Sequence, residues 1–193
     1  MTASSMRSCR RSSWLALLAA LWLALAPALA ARAEGIEVLK AALIPAEEGL
    51  VLEAEFSIAL TPTLEDALSK GVPLYFSVEF ELIRPRWYWF NEKVASERQQ
   101  YRLSYNALAR QYRVALGKLY QNFGSLAEAL AFLNRVRLRD VAAPGELTRG
   151  TTYIAALRMR LDTSQLPRPF QISAVGSRDW SLSSDWHRWS FAP

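Results

Sequence analysis

The chain has 193 residues, with 23 lysines and arginines against 18 acidic residues and a formal net charge of +5. Four of the basic residues, Arg7, Arg10, Arg11 and Arg32, precede the first acid, Glu34, so the remainder is close to neutral and lacks the basic balance a nucleic-acid partner needs. The single cysteine, Cys9, lies in the same stretch, so beyond it the chain has no disulfide partner, thiolate metal site or redox thiol.

Residues 1–33 read as a signal peptide and 34–193 as one exported domain. Arg7, Arg10 and Arg11 supply a positive start, and Trp14 to Ala26 is uncharged. Ala28-Leu29-Ala30 and Ala31-Arg32-Ala33 are two successive small-residue cleavage signals. The apolar run is shorter than the roughly 20 residues a spanning helix needs. Cys9 lies upstream of it, where a lipoprotein cysteine would not sit. Arg10-Arg11 resembles a twin-arginine export signal, but Ser13 stands where that signal wants an apolar residue. The domain that follows is long enough to bury a core without disulfides.

Within the domain the dominant pattern is alternation. Ile36 to Leu43 is the first expected strand, and Glu48-Gly49 is the turn to the second. There Leu50, Leu52, Ala54, Phe56, Ile58 and Leu60 oppose Glu53, Glu55 and Ser57. Thr61 to Lys70 carries capping threonines and acids and stops at Gly71, which predicts a short helix. Leu74, Phe76, Val78, Phe80 and Leu82 then oppose Ser77, Glu79 and Glu81, with the second set expected in water. Arg98 to Asn106 and Gln111 to Leu116 follow as strands. Ser125 to Asn134 opens on a capping box, Ser125 with Glu128, and predicts a second helix. Val136 to Val141 is the next strand. Pro144-Gly145 and Arg149-Gly150 are turns before Tyr153 to Leu161, where Arg158 and Arg160 face outward. Asp162 to Phe170 holds two prolines and is expected to be an extended crossover between sheets. Gly176 precedes a last strand, Trp186 to Phe191.

About eight strands with one-sided burial predict an all-β, mainly antiparallel fold: an immunoglobulin-like β-sandwich with two short connecting helices. An open β-barrel is the alternative.

The polar faces pair acids with arginines. Glu53, Glu55, Glu79 and Glu81 are matched to Arg137 and Arg139, or to Arg158 and Arg160, across neighbouring strands. A catalytic carboxylate pair is the competing reading, but arginine partners would depress both acids instead of raising one. Arg86, Trp87, Tyr88, Trp89, Phe90 and the later Trp186 form the candidate binding surface. The first five follow Pro85, which disfavours a central ladder position. Four consecutive aromatics either fill the core with one pair while a loop caps the other, or present rings to a ligand or partner. Ser184, Asp185 and His187 are too close in sequence to align as a hydrolase triad, so His187 is expected to be a partly exposed strand residue. With one histidine and no usable thiol, no metal site is assigned, nor any cofactor or catalytic residue.

The runs Trp87-Tyr88-Trp89-Phe90, Tyr101-Arg102-Leu103-Ser104-Tyr105-Asn106-Ala107-Leu108, Gln111-Tyr112 and Phe123-Gly124-Ser125-Leu126 are distinctive in combination. So are Arg158 to Gln171, Asp179-Trp180 and Ser184-Asp185-Trp186. Together they resemble a bacterial family of exported proteins classed as a domain of unknown function. That resemblance implies a Gram-negative periplasmic setting and genes often placed beside one for a membrane sensor histidine kinase. It supplies no activity and no site residues. The expected function is non-catalytic: a periplasmic binding or interaction module for an envelope or inner-membrane protein. The alternatives are an envelope-glycan binder using Trp87, Trp89 and Trp186 or, third, a carboxylate-based hydrolase. Membrane contact is expected only through the leader before cleavage, unless an uncleaved leader anchors the protein in the inner membrane.

Overall fold

The computed structural model describes residues 35–46, 49–88, 90–143, 145–174 and 176–193. The expected leader, Trp89, Glu48 and Pro144 lie outside these residues.

Nine strands are described. They are β1 (Gly35–Ala46), β2 (Gly49–Ala59), β3 (Leu74–Arg84), β4 (Glu92–Asn106), β5 (Gln111–Leu116), β6 (Leu119–Phe123), β7 (Arg135–Leu138), β8 (Tyr153–Leu161) and β9 (His187–Phe191). They form two antiparallel sheets, ordered β1-β2-β7 and β6-β5-β4-β3-β8-β9. The result is a β-sandwich and not a closed barrel. Its order is that of the immunoglobulin sandwich: A-B-E in one sheet and G-F-C-C′-C″ in the other, with β6 added at the end. Alternation accounts for the core. Phe56, Phe76, Phe80, Leu82, Leu103, Tyr153 and Leu157 are buried between the sheets, each contributing roughly 1.5–3 kcal/mol by removal from water.

Two helices carry the chain between sheets, α1 (Pro62–Ser69) from β2 to β3 and α2 (Leu126–Leu133) from β6 to β7. Thr61 Oγ1 caps α1 by accepting from Leu64 N at 3.2 Å, and Ser125 Oγ caps α2 by accepting from Glu128 N at 3.2 Å. Glu128 reaches back one residue beyond the usual box, accepting from Gly124 N at 3.1 Å.

Three expectations change. Asp162 to Phe170 is not an extended crossover. It is a 3-10 turn (Thr163–Gln165) leading into α3 (Arg168–Ala174), and it joins β8 to β9 within one sheet. The prolines do not forbid this, since Pro169 falls in the first turn, where its missing N–H has no helical partner to lose. The strand β6 was not expected; its side chains are almost all exposed, so it shows no alternation. Ser77 and Glu79 are not in water: they are 1% and 6% exposed, although they face away from the core.

A bulge interrupts β1. Val38 pairs with Phe56 and Lys40 with Glu55, leaving Leu39 without a partner position.

Candidate functional site

The pairing of β3 with β4 continues to Arg84↔Glu92, whereas that of β3 with β8 ends at Ile83↔Ile154. The hairpin tip, Pro85 to Asn91, therefore overhangs the neighbouring strand. Here the candidate aromatics stand in solvent: Trp87 is 93% exposed, Tyr88 70% and Phe90 89%. The core-filling reading is overturned for these three. Trp87 and Tyr88 meet edge to face, with ring centroids 4.9 Å apart.

The base of the hairpin is tied down. Arg86 Nη2 donates to Glu92 Oε2 at 2.6 Å, and Arg84 Nη1 lies 3.3 Å from the same oxygen. Arg86 N donates to Asn91 Oδ1 at 3.4 Å. Arg84 Nη2 also donates to the Tyr153 hydroxyl at 3.3 Å, which accepts a second bond from Thr148 N at 2.9 Å. Burial acts to raise the Tyr153 pKa, but these donors outweigh it and hold the phenol below its ordinary value. A buried tyrosine at the start of strand F, bonded to backbone a few residues upstream, is the tyrosine corner of immunoglobulin-like sandwiches. Here it also braces the overhanging hairpin.

Trp186 does not join the tip. It precedes β9 and lies against Arg158, whose guanidinium is 4.4 Å from the ring centroid, with Arg188 at 6.0 Å. Arg158 is level with Glu79, five residues from Arg84 along β3. The six candidate residues thus divide into Arg86, Trp87, Tyr88 and Phe90 at the tip, the undescribed Trp89, and Trp186 elsewhere.

Glu79 is the most heavily bonded acid among the described residues. Its Oε2 accepts from Arg158 Nη2 at 2.6 Å and Nε at 2.7 Å, and its Oε1 lies 3.1 Å from Arg160 Nε and 2.9 Å from Arg98 Nη2. Burial pushes its pKa up, but the hydrogen bonds and charges of Arg158 and Arg160 prevail and hold it below the ordinary carboxylate value. A carboxyl held this way is a poor proton donor. Arg158 and Arg160 were expected partners; Arg98 was missed, though its place on β4 opposite Glu79 follows once the hairpin register is known.

The remaining matches are simpler. Glu53 pairs with Arg137 at 3.4 Å, as expected, whereas Glu55 pairs with Lys40 at 3.7 Å and Glu81 with Lys93 at 2.5 Å. An open groove of about 550 Å³ over the three-stranded sheet is lined by Lys40, Ala42, Glu53, Glu55, Arg135 and Arg137. Both of its acids are thus answered by cations. His187 is a half-buried residue of β9, its ring 5.5 Å from that of Trp189. Ser184 Oγ accepts from Met159 N at 3.0 Å, a structural bond in the β8–β9 region. Among the described residues no group of three or more His, Cys, Asp or Glu could hold a metal ion, and no helix is long and apolar enough to cross a membrane.

A family model described as "Domain of unknown function (DUF4390)" matches residues 33–190. No curated protein and no solved structure matches the chain.

Proposed function

For a chain that belongs to the DUF4390 family, a domain of unknown function, we propose a non-catalytic binding module that grips an envelope or inner-membrane protein through its β3–β4 hairpin tip. The supporting observation is the display of Trp87, Tyr88 and Phe90 in solvent on an overhang whose base is held by Glu92 and Tyr153. Large aromatics supply most of the energy at protein interfaces. Mounting them on a braced turn lowers the ordering cost of docking. An exposed, overhanging tip suits a partner's groove better than a small ligand, which needs a concave pocket. The leader and the family resemblance support a periplasmic setting, in which a sensor kinase's external region is one such partner.

A glycan platform is the weaker reading, because Trp186 is stacked under arginine and cannot add its ring to the tip.

Affinity capture from envelope extracts, comparing the parent with a Trp87→Ala/Tyr88→Ala/Phe90→Ala variant, tests the proposal. We expect the variant to lose at least one abundant partner while keeping its circular dichroism spectrum. Identical partner lists would overturn it. A fluorescence response to oligosaccharides that vanishes in Trp87→Ala would replace the protein partner with a sugar.

A further inference from the structure

The six-stranded sheet sorts charge by side. Residues directly opposite in an antiparallel pair share a face, so the register puts Arg98, Arg102, Arg113, Arg158, Arg160 and Arg188 together on its outer surface. The strand acids on that surface are Glu79 and Glu81, with Asp162 just past the end of β8. Glu81 is matched by Lys93, and Glu79 is shared by three guanidiniums. Arg102 and Arg188 form no ion pair among the described residues, and Arg113 donates only to the neutral Asn122 amide, at 2.9 Å. A domain near neutrality overall therefore carries a strongly basic face.

The arginines step across this face on a diagonal. Arg188 is in line with Glu81, Arg98 and Arg158 with Glu79, Arg160 with Ser77, and Arg102 with Tyr75; Arg113 is one step further, opposite Ser104. With strands about 4.8 Å apart and about 6.8 Å per two-residue step, the band is roughly 30 Å long. Near its middle lies Ser77, fully buried, with a hydroxyl that has no hydrogen-bond partner. It sits between Gln100 on β4 and Arg160 on β8. That hydroxyl lies beneath the surface, and its neighbours are engaged: Gln100 Nε2 donates to Asp162 Oδ2 at 3.3 Å and Arg160 Nε to Glu79 Oε1 at 3.1 Å, so the guanidiniums left for an anionic ligand are those of Arg102, Arg113 and Arg188.

We propose that this face recognises a linear polymer bearing regularly spaced phosphate groups, held first by Arg102, Arg113 and Arg188, which have no acidic partner among the described residues. The arginine forks match phosphate oxygens in geometry as well as charge. A phosphate brings more acceptor oxygens than a carboxylate. Single-stranded nucleic acid fits less well, because its bases need open ring faces for stacking. Here the Trp186 ring is engaged by Arg158, and the Tyr120 ring has Arg113 4.4 Å from its centroid. The proposal is independent of the hairpin tip.

The test is binding of long-chain inorganic polyphosphate to the intact protein over a range of salt concentrations. The logarithm of the binding constant should fall linearly with that of salt. Arg102→Gln/Arg188→Gln, which breaks no ion pair, should weaken binding about tenfold and flatten the salt slope by about 2. The Trp87→Ala/Phe90→Ala variant should bind as the parent does. No binding at low salt, equal binding of polyglutamate, or stronger binding to vesicles containing phosphatidylglycerol would each overturn the assignment. Undiminished affinity in the arginine variant would do the same.

Discussion

Glu79 shows what alternation alone conceals. Its position in β3 marks it as an outward residue, yet Arg98, Arg158 and Arg160 fold over it until it is 6% exposed. An acid whose folded pKa lies below the ordinary value stabilises the fold at neutral pH, and that contribution fades as pH falls through the folded value. Glu79→Gln should lower stability at pH 7 by about 2 kcal/mol, since it leaves clustered arginines without their counter-charge. The gap between parent and variant should begin to narrow near the unfolded carboxylate pKa of about 4.3 and close only below the depressed folded value. Urea denaturation at successive pH values measures this, and a gap independent of pH would refute the ionic account. Tyr101 works in the opposite window. Burial pushes its phenol up to about 12, so the unfolded chain ionises first and stability drains away as pH climbs from about 10 towards 12. Tyr101→Phe should flatten that alkaline loss while changing little at neutral pH, as read by thermal melts across the range. Gly49 was legible as a turn residue but not for its other role. A Cβ there would lie 2.5 Å from the Ala142 carbonyl oxygen, where the segment after β7 bonds to Leu50.

Among the elements, α1 and α2 were readable because their capping residues act locally. Thr61 adds a contact that no local reading gives: while its Oγ1 accepts from Leu64 N, it also donates to the Asp179 carbonyl at 2.8 Å. Thr61→Ala should therefore cost about 1–2 kcal/mol, the upper part of the usual capping range, and lower the melting temperature by several degrees. A loss no larger than that of Ser125→Ala, whose cap is local, would show that the tie to Asp179 adds nothing. The elements that escaped sequence reading did so for physical reasons. β6 (Leu119–Phe123) lies at a sheet edge with both faces largely in water, so burial leaves no periodic trace. α3 begins among prolines that usually signal extended chain. The aromatic tip was identified as unusual, but its exposure depended on where β3 and β4 stop pairing, and that is set by the whole sheet. Arg98 and Ser77 belong to the same class, because their meaning comes from strand neighbours distant in sequence.

At the level of the whole molecule, the sandwich class was legible because inward residues such as Phe76, Leu157 and Phe56 recur at period two. The strand order was not, since it depends on which sheet each connection reaches. The Tyr153 corner was missed for a similar reason: a lone tyrosine at the head of a strand becomes diagnostic only once β8 is known to occupy the place of strand F. One consequence for the assembled domain comes from β1. It is a long rim strand, with no described strand on its outer side and with Leu39 and Ile44 half in water. An unbroken rim of this kind invites identical chains to zip together without limit. The kink at Leu39 spoils the template halfway, so only short stretches of unmatched amides face a visiting copy. Deleting Leu39 would mend that ladder. The shortened protein should stay folded when dilute, yet form thioflavin-positive fibres at concentrations where the parent runs as a single sharp species in gel filtration.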